Sequence, residues 1–142
     1  MNVYFSCSIT GGRAEEATYQ AIVKDLLGRG HEVPTAHLSS PEVVELEKIV
    51  VPSEIFARDM KWLKECDAVV AEVSSPSHGV GYEIAYALAL GKPVLCCYKK
   101  GKKVSKIITG NSGKTLQVKE YETDAEVVEI VNAFLTQPPE YV

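Results

Sequence analysis

Three apolar runs constrain this chain more than any other feature: Val3-Tyr4-Phe5-Ser6-Cys7, Ala68-Val69-Val70-Ala71-Glu72-Val73 and Pro93-Val94-Leu95-Cys96-Cys97-Tyr98. None alternates apolar with polar residues, so none suits a strand with one wet face. Strands of this kind must be covered on both sides, which a parallel sheet between two helical layers achieves. The intervening segments agree. Ala14 to Leu27 sets Ala17, Ala21 or Ile22, and Leu26 on one helical stripe, and Gly28 and Gly30 end it. Pro52 suits the first turn of a helix running to Glu65, with Ile55, Phe56, Met60 and Leu63 inward. Further helices are expected from Val80 to Leu90, ended by Gly91, and from Asp124 to Leu135. His31 to Thr35 reads as a weak strand that Pro34 confines to an edge or a strand end, and Thr115 to Val118 as a fifth strand. From about Ser39 to Val51 a loop with a partial helix is expected. The predicted fold is an α/β three-layer sandwich, Rossmann-like or flavodoxin-like, with a five-stranded parallel sheet of order 2-1-3-4-5. Residues 1–136 form one domain in this reading, and residues 137–142 a frayed tail.

Charge and composition exclude several classes. The chain has 142 residues and a formal net charge of −4, which argues against nonspecific binding to nucleic acid or an acidic membrane. No apolar run approaches the roughly 20 residues that span a bilayer. Met1 to Ser6 lacks a basic n-region and a long apolar h-region, so no signal peptide is expected, and the cytosol, or cytosol and nucleus, is the expected location. The four cysteines, Cys7, Cys66, Cys96 and Cys97, show no C-x-x-C spacing and read as buried thiols. His31, His37 and His78 form no zinc motif with them, so no metal site is expected.

Ligands of open α/β sheets bind beyond the carboxyl ends of the strands. Ser8 to Arg13, Ser74 to Gly81 and Tyr98 to Ser105 lie there. Gly110-Asn111-Ser112-Gly113-Lys114-Thr115 imitates a phosphate loop but lacks its first glycine, and a strand follows where a helix is required. Gly79-Val80-Gly81-Tyr82-Glu83-Ile84 is a broken dinucleotide fingerprint, with Ile84 at the third glycine. Two hydroxyl- and glycine-rich turns remain, Ser8-Ile9-Thr10-Gly11-Gly12-Arg13 and Ser74-Ser75-Pro76-Ser77-His78-Gly79. They read either as ordinary turns and caps or as two halves of a phosphate site at helix N-termini. Glu83 is an acid in the first turn of an otherwise apolar helix. It either compensates the helix dipole or does chemistry next to that pocket, as a carboxylate attacking an anomeric carbon. Asp59 and Glu72 are further carboxylates in apolar surroundings, and Asp67 caps or enters its strand.

Taken in order, Tyr4-Phe5-Ser6-Cys7-Ser8-Ile9 with Gly11-Gly12-Arg13, Asp59-x-x-Trp62-Leu63, Asp67 to Val73, Pro76-Ser77-x-Gly79-Val80-Gly81-Tyr82-Glu83 and Gly91-Lys92-Pro93-Val94-Leu95 resemble the nucleoside 2-deoxyribosyltransferase superfamily. Within it the 2′-deoxynucleoside 5′-monophosphate N-hydrolase branch is most similar. The resemblance implies a five-stranded Rossmann-like fold, a dimer, and cleavage of the N-glycosidic bond without metal or organic cofactor. It implies that Glu83 is the nucleophile, that Tyr4 orients it, and that Asp59 belongs to the catalytic set. Ser8, Ile9, Thr10, Gly11, Gly12, Arg13, Ser77 and Gly79 fall at positions lining the phosphate and sugar pocket, and Ser105 at that of a serine lent by the neighbouring subunit. Thr10 stands where similar proteins have arginine.

The resulting expectation is hydrolysis of a (2′-deoxy)nucleoside 5′-monophosphate to free base and sugar 5-phosphate. The alternatives are a deoxyribosyltransferase, a ribonucleotide N-hydrolase of the CMP type, and a nucleotide sensor without turnover. A homodimer also follows from the helix Val80 to Leu90, which lacks a polar face, and from Phe56, Met60 and Trp62 on its neighbour. The alternative cover for that surface is the chain's own Ser39 to Val51 segment.

Overall fold

The computed structural model describes residues 1–137. Four parallel strands form the sheet in the order β1 (Val3–Ser6), β2 (Ala68–Glu72), β3 (Val94–Lys99) and β4 (Leu116–Tyr121). The helices are α1 (Glu16–Gly28), α2 (Val43–Lys48), α3 (Pro52–Glu65), α4 (His78–Ala89), the single turn α5 (Lys106–Thr109) and α6 (Asp124–Thr136), with a 3₁₀ turn at Ala36–Ser39.

Both faces of the sheet are covered, as uninterrupted apolar strands require. Alternation along each strand divides the core in two. Val3, Phe5, Val70, Leu95 and Cys97 pack with Tyr19, Ile22 and Leu26 of α1 and Val127 and Val131 of α6. Tyr4, Val69, Ala71, Val94 and Cys96 pack on the other face with Met60 and Leu63 of α3 and Val80, Ile84 and Ala87 of α4. All four cysteines are buried free thiols, as expected.

The expected fifth strand does not form. His31 to Thr35 contributes a single bridge, Glu32 to Asn2, at the edge where that strand was expected. The pairing begins normally, with Val3 N–H donating to the Glu32 carbonyl at 2.8 Å and Glu32 N–H to the Met1 carbonyl at 2.9 Å. Pro34 then stands where the next donor is needed and has no N–H to give. The Thr35 side chain takes over, its Oγ1 accepting from Phe5 N–H at 2.9 Å inside the core. A hydroxyl so substitutes for a strand carbonyl, and the chain turns into the 3₁₀ segment. The four strands that do form keep the neighbour order expected of them. β4 runs on to Tyr121, beyond the expected Val118. Of the expected tail, Gln137 is extended backbone, and residues 138–142 lie outside the described residues.

Candidate active site

The carboxyl ends of β1 and β2 meet the start of α4, and the helix begins earlier than the sequence pattern implied. Ser77 is its N-cap, its Oγ accepting from Val80 N–H at 3.3 Å, so Glu83 lies in the second turn rather than the first. Dipole compensation fades beyond the first turn, which removes the simplest structural reason for an acid there. Glu83 turns instead to the sheet, where the fully buried Tyr4 of β1 donates its hydroxyl proton to Glu83 Oε2. Burial pushes the Glu83 carboxyl up to about 7, with the Asp59 charge adding to the rise and the Tyr4 hydrogen bond opposing it. Burial, then the charges of Glu83 and Asp59, hold the Tyr4 proton far above its ordinary range, so Tyr4 acts at neutral pH as a donor.

Asp59 comes from α3. Burial raises its carboxyl too, against the pull of Arg58, whose Nε donates to Asp59 Oδ1 at 2.9 Å. The same guanidinium donates from Nη2 to Glu47 Oε1 at 2.9 Å and lies 4.9 Å from the centre of the Trp62 ring. His37 approaches the same Glu47 oxygen through Nε2 at 3.3 Å and meets Trp62 edge-on. The 36–48 segment is thereby tied to α3 beside Asp59. Sequence reading singled out Asp59 and Trp62 but missed Arg58, Glu47 and His37 as partners. The adjacency of Arg58 and Asp59 was the available signal; the pairing with Glu47 crosses a loop and had none.

A cleft of about 640 Å³ runs from the turns at the strand ends along α4 to Leu116 at the start of β4, and Tyr4, Asp59 and Glu83 are not among the residues that line it. Thr10, Gly11, Ser77 and Ser105 line it, with Ile84 and Leu88 of α4 on one wall and Ile108 on another. A Cβ at Gly11 would overlap the Pro76 carbonyl, so the two turns touch only because this residue is glycine. Gly12 adopts φ 117°, which side-chain-bearing residues rarely do. A Cβ at Gly79 would lie 3.9 Å from both Glu83 Oε1 and Ser77 Oγ, so Ser77 joins the cleft to the Glu83 side of α4.

Other expected pocket residues stand differently. Ser8 is fully buried, and Ile9 packs against the α1-side core. Arg13 braces the first turn: Nε donates to Glu16 Oε1 at 2.9 Å, Nη1 to the Ser8 carbonyl at 3.0 Å and Nη2 to the Ser40 carbonyl at 3.2 Å. Ser105 is the N-cap of α5, its Oγ accepting from Ile107 N–H at 3.3 Å. A carboxylate with a hydroxyl donor on it and a second carboxylate nearby is equipped for displacement at carbon, and a cleft rimmed by helix N-termini suits an anionic group elsewhere on the same molecule.

Fold and site define a Rossmann-like α/β protein with a carboxylate centre at the strand ends. A sequence profile of the family described as nucleoside 2-deoxyribosyltransferase matches residues 3–128, and the chain belongs to that family. A Danio rerio protein named 5-hydroxymethyl-dUMP N-hydrolase is 42% identical over 138 residues, covering 94% of this chain and 95% of its own. A Methanococcoides burtonii protein, provisionally named a 2′-deoxynucleoside 5′-phosphate N-hydrolase 1, is 40% identical over 119 residues, 84% of this chain and 98% of its own. Among solved structures, the Clostridium botulinum CMP N-glycosidase BcmB superposes with a TM-score of 0.71 at 20% identity, covering 94% of this chain and 99% of its own. The 2-deoxyribosyltransferase of Bacillus psychrosaccharolyticus gives 0.67 at 20% identity, with full coverage of both chains. At these identities the structural likenesses speak for the fold.

Proposed function

We propose that this chain is an N-glycosidase that hydrolyses (2′-deoxy)nucleoside 5′-monophosphates to free base and sugar 5-phosphate, with Glu83 as nucleophile. The observation that carries this reading is the Tyr4–Glu83 pair at the strand ends beside Asp59. Relatives about 40% identical over nearly their whole length, named as N-hydrolases of deoxynucleotides, support the same reaction.

In this mechanism the ionised Glu83 forms a bond to C1′ as the bond from C1′ to the base breaks, through an oxocarbenium-like transition state. The bonding pair leaves with the base, which takes a proton from Asp59 or from water. Water then attacks C1′ of the glycosyl-enzyme and gives its proton to Asp59 or to solvent, Glu83 leaves as a carboxylate, and the sugar keeps the hydroxyl. Tyr4 holds the Glu83 oxygen in one orientation throughout. The 5′-phosphate sits between the Thr10–Gly11 and Ser75–Ser77 turns, remote from the breaking bond, so its binding serves to place the sugar. Two protomers associate through the apolar flank of α4 and α3, which would let Ser105, a residue that lines its own chain's cleft, reach the partner's pocket as well.

Incubating the protein with a panel of deoxy- and ribonucleoside monophosphates and the matching nucleosides, and measuring free base, tests the proposal. Base release from deoxynucleoside monophosphates alone is expected. Equal release from nucleosides, with transfer to a second base, would make the chain a transferase. Faster release from CMP than from dCMP would place it with ribonucleotide N-glycosidases.

A further inference from the structure

Glu72 ends β2 and is fully buried, yet it has no part in the chemistry proposed above. Alternation along β2 puts Val69 and Ala71 in the layer with Tyr4, and Glu72 in the layer under α1 and α6. Among the described residues its carboxylate meets no cation. Oε1 accepts from Ser74 N–H at 2.6 Å and Oε2 from the Tyr121 hydroxyl at 3.2 Å. Lys99 and Lys102 approach Glu15 instead, each at 3.7 Å. A buried carboxylate satisfied only by neutral donors is costly, and an apolar side chain of similar size would usually stabilise such a site.

What Glu72 holds is the turn that faces the cleft. Ser74 opens that turn, and its hydroxyl also accepts from Lys99 N–H at 2.8 Å. The chain then passes through Pro76, whose carbonyl abuts Gly11, to Ser77 at the N-cap of α4. The ends of β2, β3 and β4 are thereby locked to one backbone turn. We infer that Glu72 is a positioning residue: with Tyr121 it sets the Ser74–Ser77 turn to receive the 5′-phosphate group, and it governs substrate affinity without touching substrate. The inference rests on the N-glycosidase reading for the identity of that ligand.

Two substitutions separate this role from a merely structural one. Glu72→Gln keeps an acceptor for Ser74 N–H and offers an amide N–H to the Tyr121 oxygen, whereas Glu72→Leu removes both contacts. Binding of 2-deoxyribose 5-phosphate, the product shared by all deoxynucleotide substrates, is measured by calorimetry, beside kcat at saturating substrate. Glu72→Leu should bind it about tenfold or more weakly, with kcat within about threefold of wild type and an unfolding midpoint equal or higher. Glu72→Gln should restore the affinity. Should Glu72→Leu not fold, Tyr121→Phe removes one of the two contacts and should show a smaller loss of the same kind. Unchanged affinity in Glu72→Leu, or in Tyr121→Phe where that variant stands in for it, overturns the role, as does a kcat loss exceeding the affinity loss. A wild-type protein that releases no base from any nucleotide defeats the N-glycosidase reading, whereas base release with unchanged Glu72→Leu affinity defeats only the positioning role.

Discussion

Glu83 sits where burial and hydrogen bonding pull its proton in opposite directions, and that balance is measurable. A nucleophilic carboxylate must be ionised, so kcat/KM should climb as pH passes about 7 and then level. Tyr4→Phe removes the hydrogen bond that favours the charged form. It should move the acid limb of the profile upward and lower kcat more than it changes KM. Glu83→Ala should lose nearly all base release while keeping the fold. Stability gives a second readout. A carboxyl raised in the folded state favours folding while protonated, and that contribution is lost as pH rises from the ordinary glutamate range through about 7. Wild type should therefore lose stability relative to Glu83→Gln across that interval, read as the difference in urea midpoint at pH 5 and pH 8.

Two turns and an edge decide how the elements are arranged around that residue. The first edge of the sheet stops because Pro34 lacks a donor and Thr35 supplies an acceptor. Thr35→Val would leave the buried Phe5 N–H unanswered and should cost about 1–3 kcal/mol, measured by urea unfolding. The Gly11 turn reaches the Pro76 carbonyl with no room for a methyl group. Gly11→Ala should force the two turns apart and weaken 2-deoxyribose 5-phosphate binding, read by calorimetry, while the pairing of β1 with β2 is retained. The 36–48 segment gains its place through Arg58, Glu47 and His37, which explains how a stretch with little helical pattern of its own becomes a wall beside Asp59.

Across the whole molecule, the flank of α3 and α4 and the segment after β3 leave large apolar side chains outside: Phe56 is 57% exposed, Tyr82 54% and Ile107 83%. His37, just before the Ser39 to Val51 segment expected as the intramolecular cover, meets Trp62 edge-on, and Phe56 stays exposed within the chain. A second copy related by two-fold symmetry would bury such surface on both partners at once. Sedimentation at working concentration should show a dimer. Under the proposed shared pocket, Ser105→Ala should weaken nucleotide binding while leaving that dimer intact, because it removes one hydroxyl hydrogen bond to the phosphate, worth about 1.5–3 kcal/mol to a charged acceptor. An active monomer would rule out the shared pocket.

Much of this architecture was legible because its causes are local. Three apolar runs became β1, β2 and β3, since a strand without a polar face has one stable environment. Glycines and prolines mark the helix ends, and Glu83 stands out as an acid inside the apolar α4. The rest depended on chain segments meeting across long separations. Tyr4 and Glu83 are 79 residues apart, and Tyr121 and Glu72 are 49 apart. Whether His31 to Thr35 became a strand turned on which group would answer Phe5 N–H, and the answer was a side chain 30 residues away. Burial pattern and backbone breakers act within a few residues and can be read along the chain. Hydrogen-bond partners and shifted protons arise only when folding removes water from groups that the sequence keeps apart.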